Sequence, residues 1–190
     1  MFGSSQGTFA EYIKVRPSML LQRLPPNWTP IEAAGLAATA PVSYGALITH
    51  GKLCAGQTVL IHGAAGGLGL MAVQIAKAVG ARVIATVGTA EKLIVTQRFG
   101  ADESILYSND KWPAKVLELT GGAGVDIVYD PVGLVERSLK CVKHRGTISI
   151  IGFAGSEGAI EKIPTNRVLL KQVKIVGYVS DFGKAEKHEN

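Results

Sequence analysis

The residues Ala64-Ala65-Gly66-Gly67-Leu68-Gly69 form a glycine cluster between an apolar β-branched run and an apolar stretch of helical spacing. Such a cluster suits a phosphate. Without Cβ atoms the backbone turns sharply and can approach a pyrophosphate closely. The helix that follows aims its free N–H groups and the positive end of its dipole at that charge. The strict G-x-G-x-x-G pattern has glycine first, and Ala64 stands there instead. A Walker loop is excluded, because no Gly-Lys-Ser/Thr follows. Two other readings of these letters stay open: a tight strand–helix turn without a ligand, and an S-adenosylmethionine site.

The second run, "RVIATVGTAEK", bears on which dinucleotide would bind. NAD sites place an acid at the end of this strand to accept from the ribose hydroxyls. Here Gly88 occupies that place, followed by Thr89 and, a helical turn on, Lys92. Glycine leaves room for a 2′-phosphate, a hydroxyl donates to it, and an ammonium pairs with it. Tyr107, at the tip of the next strand, can reach the same place. NADPH is therefore expected. The pair Tyr107 and Lys111 imitates the Tyr-x-x-x-Lys of short-chain dehydrogenases, but that family's tyrosine follows the fifth strand. No residue stands out as a catalytic acid. Tyr44 reads as an aromatic packed beside the cleft, and His62 as a strand-end or packing residue. His50, His144 and His188 have no partners at ligand spacing. Cys54 and Cys141 fall in no metal-binding pattern, so no metal is expected.

These residues need elements to position them. Residues 8–21 alternate loosely and read as one or two strands. Thr29, Pro30 and Glu32 make a helix start with a capping box, and the helix runs to about Ala38. A second apolar stretch covers 42–53. Strands follow at 58–63, 82–88, 104–107, 125–130, 147–152 and 173–179. Helices at 68–80, 90–100, 113–122, 135–146 and 166–172 alternate with them. Apolar strands separated by single helices predict an α/β fold with a doubly wound, parallel, six-stranded sheet of Rossmann type.

The 190 residues are 47% apolar and 18% charged, which suits a globular chain. The net charge of +5 is scattered, so no nucleic-acid partner is expected. No basic n-region precedes an apolar h-region near Met1, and polar residues interrupt the apolar run 59–88. A cytoplasmic protein without a membrane span is expected.

"GTFAEYIKV", the 59–92 stretch, "FGADE", "LTGGAGVDIVYDPVG" and "ISIIGFAGSEGAIEKIPTNRVLLK" resemble the zeta-crystallin-like quinone oxidoreductases. That group is a zinc-free branch of the medium-chain dehydrogenase/reductase superfamily. The resemblance runs from about Gly7 to about Gly183. It implies NADPH-dependent reduction of a quinone or activated carbonyl compound. It implies cofactor contacts at Ala65, Gly66, Gly67, Leu68, Gly88, Thr89, Lys92 and Tyr107. It adds Val132 in "DPVG" and Gly152, Phe153 and Ala154 in "IGFAG". Family members begin with a GroES-like catalytic domain, of which residues 1–28 resemble a remnant, leaving 29–190 as the NADPH-binding domain. Such a chain alone is expected to be weakly active or inactive, and a cofactor-binding or structural homologue without turnover stays an alternative. Val42 stands where related sequences commonly carry a threonine. Ala38 stands near the cysteine of zinc-using relatives. A homodimer paired through strand 173–179 is expected, because the last strand added to such a sheet lies at its edge.

Overall fold

The computed structural model describes residues 9–15, 23–36, 38–108, 110–155 and 161–179. Six strands form one sheet: β1 (Thr58–Ile61), β2 (Arg82–Val87), β3 (Glu103–Leu106), β4 (Val125–Asp130), β5 (Val142–Ile150) and β6 (Lys174–Gly177). Every pairing is parallel and the order is β3-β2-β1-β4-β5-β6. This is the doubly wound Rossmann order, with the winding reversing between β1 and β4. The helices are α1 (Pro30–Ala34), α2 (Thr39–Tyr44), α3 (Gly67–Val79), α4 (Glu91–Arg98), α5 (Trp112–Leu119), α6 (Val135–Ser138) and α7 (Thr165–Lys171). A π-helical stretch, Gly45–His50, continues α2. No helix among the described residues is long and apolar enough to cross a membrane.

Side-chain alternation divides the core between the two faces of the sheet. Val59, Ile61, Val83, Ala85, Ile127 and Tyr129 face one way, onto Ala72, Val73 and Ala76 of α3. Leu60, Ile84, Val128 and Ile148 face the other, onto Trp112, Val116 and Leu139. Each large apolar side chain so buried contributes about 1.5–3 kcal/mol. Both faces must therefore be covered, which explains the near-continuous apolar strands.

The capping box forms as expected: Glu32 N donates to Thr29 Oγ1, and Thr29 N donates to the Glu32 carboxylate. Other expectations are corrected. Residues 9–15 form no strand and are exposed, because no described strand lies beside them to complete a ladder. The rest of the 8–21 stretch lies outside the described residues, as do His188 and the terminal tail. The first helix stops at Ala34, and a new one begins at Thr39. The helix expected over 135–146 is a single turn, and Val142 already pairs with Val125 on β4. Burial of Cys141 and Val142 against the sheet overrides the helical spacing of the segment.

Candidate cofactor site

The sequence-predicted site residues lie along one edge of the sheet. Ala65 to Leu68 follow β1, Gly88 and Thr89 follow β2, Tyr107 follows β3, Val132 follows β4, and Gly152 to Ala154 follow β5. All are carboxyl ends of strands, and the glycine loop sits at the switch point of the winding. That crevice is where open parallel sheets bind ligands.

The glycine loop is pinned from both sides. His62 N donates to Tyr129 O and Ala64 N donates to Thr86 O, so β1 ends held between β2 and β4. Gly66 caps α3 in an extended conformation and offers no side chain to the first turn. Its N–H groups are left for an anion. Gly66 and Gly67 are exposed. Gly69, by contrast, is buried, and a Cβ there would overlap the Gly63 carbonyl oxygen and Ala64 Cα. The third glycine thus lets the helix lie against the turn.

A hydrogen-bonded chain that sequence reasoning missed braces α3. Ser43 Oγ donates to Leu68 O at 3.0 Å and lies 2.9 Å from Tyr129 Oη. The serine has one proton, so the tyrosine is the donor in the second bond. Burial pushes the Tyr129 phenol up to about 12, which keeps it a donor at neutral pH. The residues are far apart in sequence, and the only local sign is a tyrosine inside an apolar strand.

At the β2–β3 tips, Tyr107 N donates to Val87 O, and a Cβ placed on Gly88 would come 2.8 Å from the Tyr107 hydroxyl. The structure thus brings Gly88 and Tyr107 together, with exposed Thr89 and Lys92 beside them at the start of α4. Glu91 was overlooked. Its own backbone N–H and the Thr89 hydroxyl hold its carboxyl below the usual range, so Thr89 already has an acceptor.

At the β4–β5 tips, buried Asp130 accepts from the N–H groups of Val132, Gly133 and Leu134. Ala154 N donates to Pro131 O and Gly155 N to Val132 O. A Cβ on Gly63 would lie 3.2 Å from Val132 Cγ2, so this turn touches the glycine loop. Phe153 is 61% exposed. Val42 is half-buried in α2. Tyr44 is 55% exposed and so does not pack as expected.

His62 is fully buried beneath the loop. Its Nδ1 lies 2.8 Å from Thr86 Oγ1, and its Nε2 lies 2.9 Å from Ser138 Oγ. Ser138 Oγ already donates to Leu134 O, so Nε2 carries the ring proton and Nδ1 accepts from Thr86. Burial brings its pKa down to about 4, partly offset by Asp130. A neutral histidine with both nitrogens engaged is a brace, as its sequence position suggested.

Residues 67–187 match the family described as zinc-binding dehydrogenase. The chain belongs to that family. A quinone oxidoreductase-like protein 2 homolog of Nematostella vectensis is 37% identical over 178 residues, which are 92% of this chain and 47% of that protein. A 2-haloacrylate reductase of a Burkholderia species is 44% identical over 108 residues, 56% of this chain and 32% of that one. The crystal structure of Escherichia coli quinone oxidoreductase complexed with NADPH superposes with a TM-score of 0.75 at 34% identity. It covers 82% of this chain and 48% of its own. The chain therefore spans about half the length, or less, of these relatives.

The family description names zinc, and the described residues do not fit that ion. No three of their His, Cys, Asp and Glu side chains group to hold a metal. Cys54 is exposed and its thiol lies on Lys52 O, whereas Cys141 is buried. The same residues do fit a dinucleotide. An uncapped helix start and two exposed glycines leave backbone room where a pyrophosphate would lie.

Proposed function

We propose that this chain is the coenzyme-binding part of an NADPH-dependent oxidoreductase that reduces a quinone or an activated alkene or carbonyl compound. Residues 29–190 form the binding domain in this reading, and residues 1–28 belong to a catalytic domain. The observation that carries the proposal is the line of Gly66, Gly88, Tyr107 and Val132 along the carboxyl edge, with no acid at the end of β2. The similarity to an NADPH-bound quinone oxidoreductase supports the cofactor. The Burkholderia relative supports a polarised small acceptor.

Gly67 and Leu68 would hold the pyrophosphate through backbone N–H groups and the helix dipole, and Gly66, whose own N–H donates to Gly63 O, would give it room. Lys92 and Tyr107 would hold the 2′-phosphate, and Thr89 would join them on turning its hydroxyl away from Glu91. Val132 and Gly152 to Ala154 would wall the nicotinamide end and keep water from one side of the ring. When bound, the nicotinamide would supply hydride to the acceptor, whose developing charge would be quenched by a proton from water. No zinc takes part in this reading.

The test is titration with NADPH and NADH. NADPH is expected to bind more tightly. Lys92→Ala should weaken NADPH by roughly 10–100-fold, since a charge-assisted contact is worth about 1.5–3 kcal/mol. NADH should be nearly unaffected. Equal affinities in the unsubstituted chain would refute the 2′-phosphate site.

We also propose a homodimer through β6. β6 is an edge strand, and Leu169, Leu170 and Val179 beside it are each more than 70% exposed. Tyr178 N donates to Ile150 O on β5. Strand periodicity then turns the N–H groups of Ile175 and Gly177 outward. Gly177→Pro removes one of these, and the ring has space, since nothing lies within 4 Å of a Cβ there. Sedimentation equilibrium should show a dimer weakened at least tenfold, on the order of one lost ladder bond with its neighbours. An unchanged dimer would rule this edge out.

A further inference from the structure

At the opposite, amino-terminal edge of the sheet lies a cleft of about 330 Å³. Lys52, Gln57, Asp126, Lys143, His144 and Arg145 line it. None of these residues takes part in the cofactor site. The cleft exists because β5 departs from its ladder. Val125 pairs with Val142 and Ile127 with Thr147, so β4 advances two residues while β5 advances five. Lys143, His144 and Arg145 are looped out between those pairs. Bulges of this kind re-aim side chains, and this one turns three basic residues toward the same concavity.

The bulge is held in place. Arg145 has φ +62°, a conformation side chains rarely adopt, and its Nε donates to Gln172 Oε1 at 2.9 Å. Lys52, across the cleft, has φ +57°. Lys52 and Arg145 are two of only three non-glycine residues with positive φ among the described residues. Backbone held in such conformations recurs at ligand clamps.

The charges do not balance. Asp126 accepts from Thr58 N through one oxygen and pairs with Lys143 at 3.0 Å through the other. That acid is therefore committed to Lys143. Lys52 and Arg145 have no acidic partner among the described residues, and His144 adds a ring N–H donor. Two uncompensated cations in one cleft match a dianion and are only half neutralised by a carboxylate. A guanidinium whose Nε is engaged still has its terminal nitrogens for a forked contact to oxygen. The volume exceeds that of a phosphate alone and leaves room for a small body.

We propose that this cleft is a second anion site, which binds a phosphate dianion, free or as the headgroup of a small phosphate monoester. It is independent of the cofactor reading. The experiment is a titration of the isotopically labelled chain with inorganic phosphate and with glycerol 3-phosphate. Amide shifts are followed by NMR at pH 8 and constant ionic strength. Both probes should saturably shift the amides of 51–57 and 143–147. Tighter binding of glycerol 3-phosphate assigns the site to a monoester, and equal binding assigns it to the free anion; either supports the dianion site. In Lys52→Asn/Arg145→Asn the affinity should fall roughly tenfold. Asparagine is chosen because it tolerates positive φ. The single variant Lys52→Asn, expected to lose about threefold, keeps the test alive if the double variant does not fold. Amides 63–69 in the same spectra report the glycine loop separately, so failure of one site is distinguishable from failure of the other. Absence of saturable shifts at 51–57 and 143–147, or unchanged affinity in the variants, overturns the proposal.

Discussion

Gly69→Ala is expected to remove measurable dinucleotide binding and to destabilise the chain by about 3 kcal/mol. The added methyl would meet the Gly63 carbonyl oxygen and Ala64 Cα, both of them backbone atoms. No flexible side chain can swing aside, so α3 must lift from the turn after β1. That displacement moves the N–H groups of Gly67 and Leu68, which form the proposed pyrophosphate cradle. It also strains the Ser43 bond to Leu68 O. Helix propensity favours alanine by up to about 1 kcal/mol and does not offset the overlap. Gly67→Ala provides the contrast. Its Cβ would meet only Thr39 Cγ2, at 3.4 Å, an ordinary contact. Thermal or urea unfolding should therefore separate the two variants, with Gly67→Ala near the parent. Equal stability of Gly69→Ala and parent would show that α3 does not need this close approach.

The second large effect is a loss of stability in mild acid. His62 is neutral and buried, with a pKa of about 4 against the usual 6.5. In the unfolded chain the ring takes up a proton near pH 6.5. In the folded chain it does so only near pH 4. Between those values the unfolded state binds more protons, so stability falls as pH falls through this window. The full difference is on the order of 3 kcal/mol. Its cause is visible in the bonds: a proton on Nδ1 would turn the acceptor of the Thr86 hydroxyl into a donor. Urea midpoints measured from pH 7.5 to pH 4 should decline steeply in the parent. In His62→Gln the decline over the same interval should be shallower, leaving the part due to carboxylates. Parallel declines in the two proteins would show that His62 is not the group responsible.

Local pattern was enough for the elements that build the crevice. Short apolar runs between turn residues located the six strands, apart from the first half of β5, and a helical spacing ending in glycine gave α3, whose C-cap Gly80 is left-handed at φ 86°. The glycine loop and the Gly88-Thr89-Lys92 run were readable because the proposed cofactor contacts there use residues close in sequence. The parallel order followed from the alternation itself, since one crossover helix per strand permits few windings.

Contacts between distant residues were decided only by the tertiary structure. The Ser43–Tyr129 and His62–Ser138 bonds join residues 86 and 76 positions apart. No spacing announces such pairs, because each partner fits a bland role alone. The segment 135–146 carries a helical pattern, yet its second half enters the sheet. There, pairing of Val142 with Val125 and burial of Cys141 outweigh a propensity of a few tenths of a kcal/mol per residue. The same pairing forces Lys143, His144 and Arg145 out of the ladder and into one cleft with Lys52. In sequence those residues are scattered charges on a basic chain. The fold makes them neighbours, because closing a parallel sheet fixes where the amino ends of β1, β4 and β5 must meet.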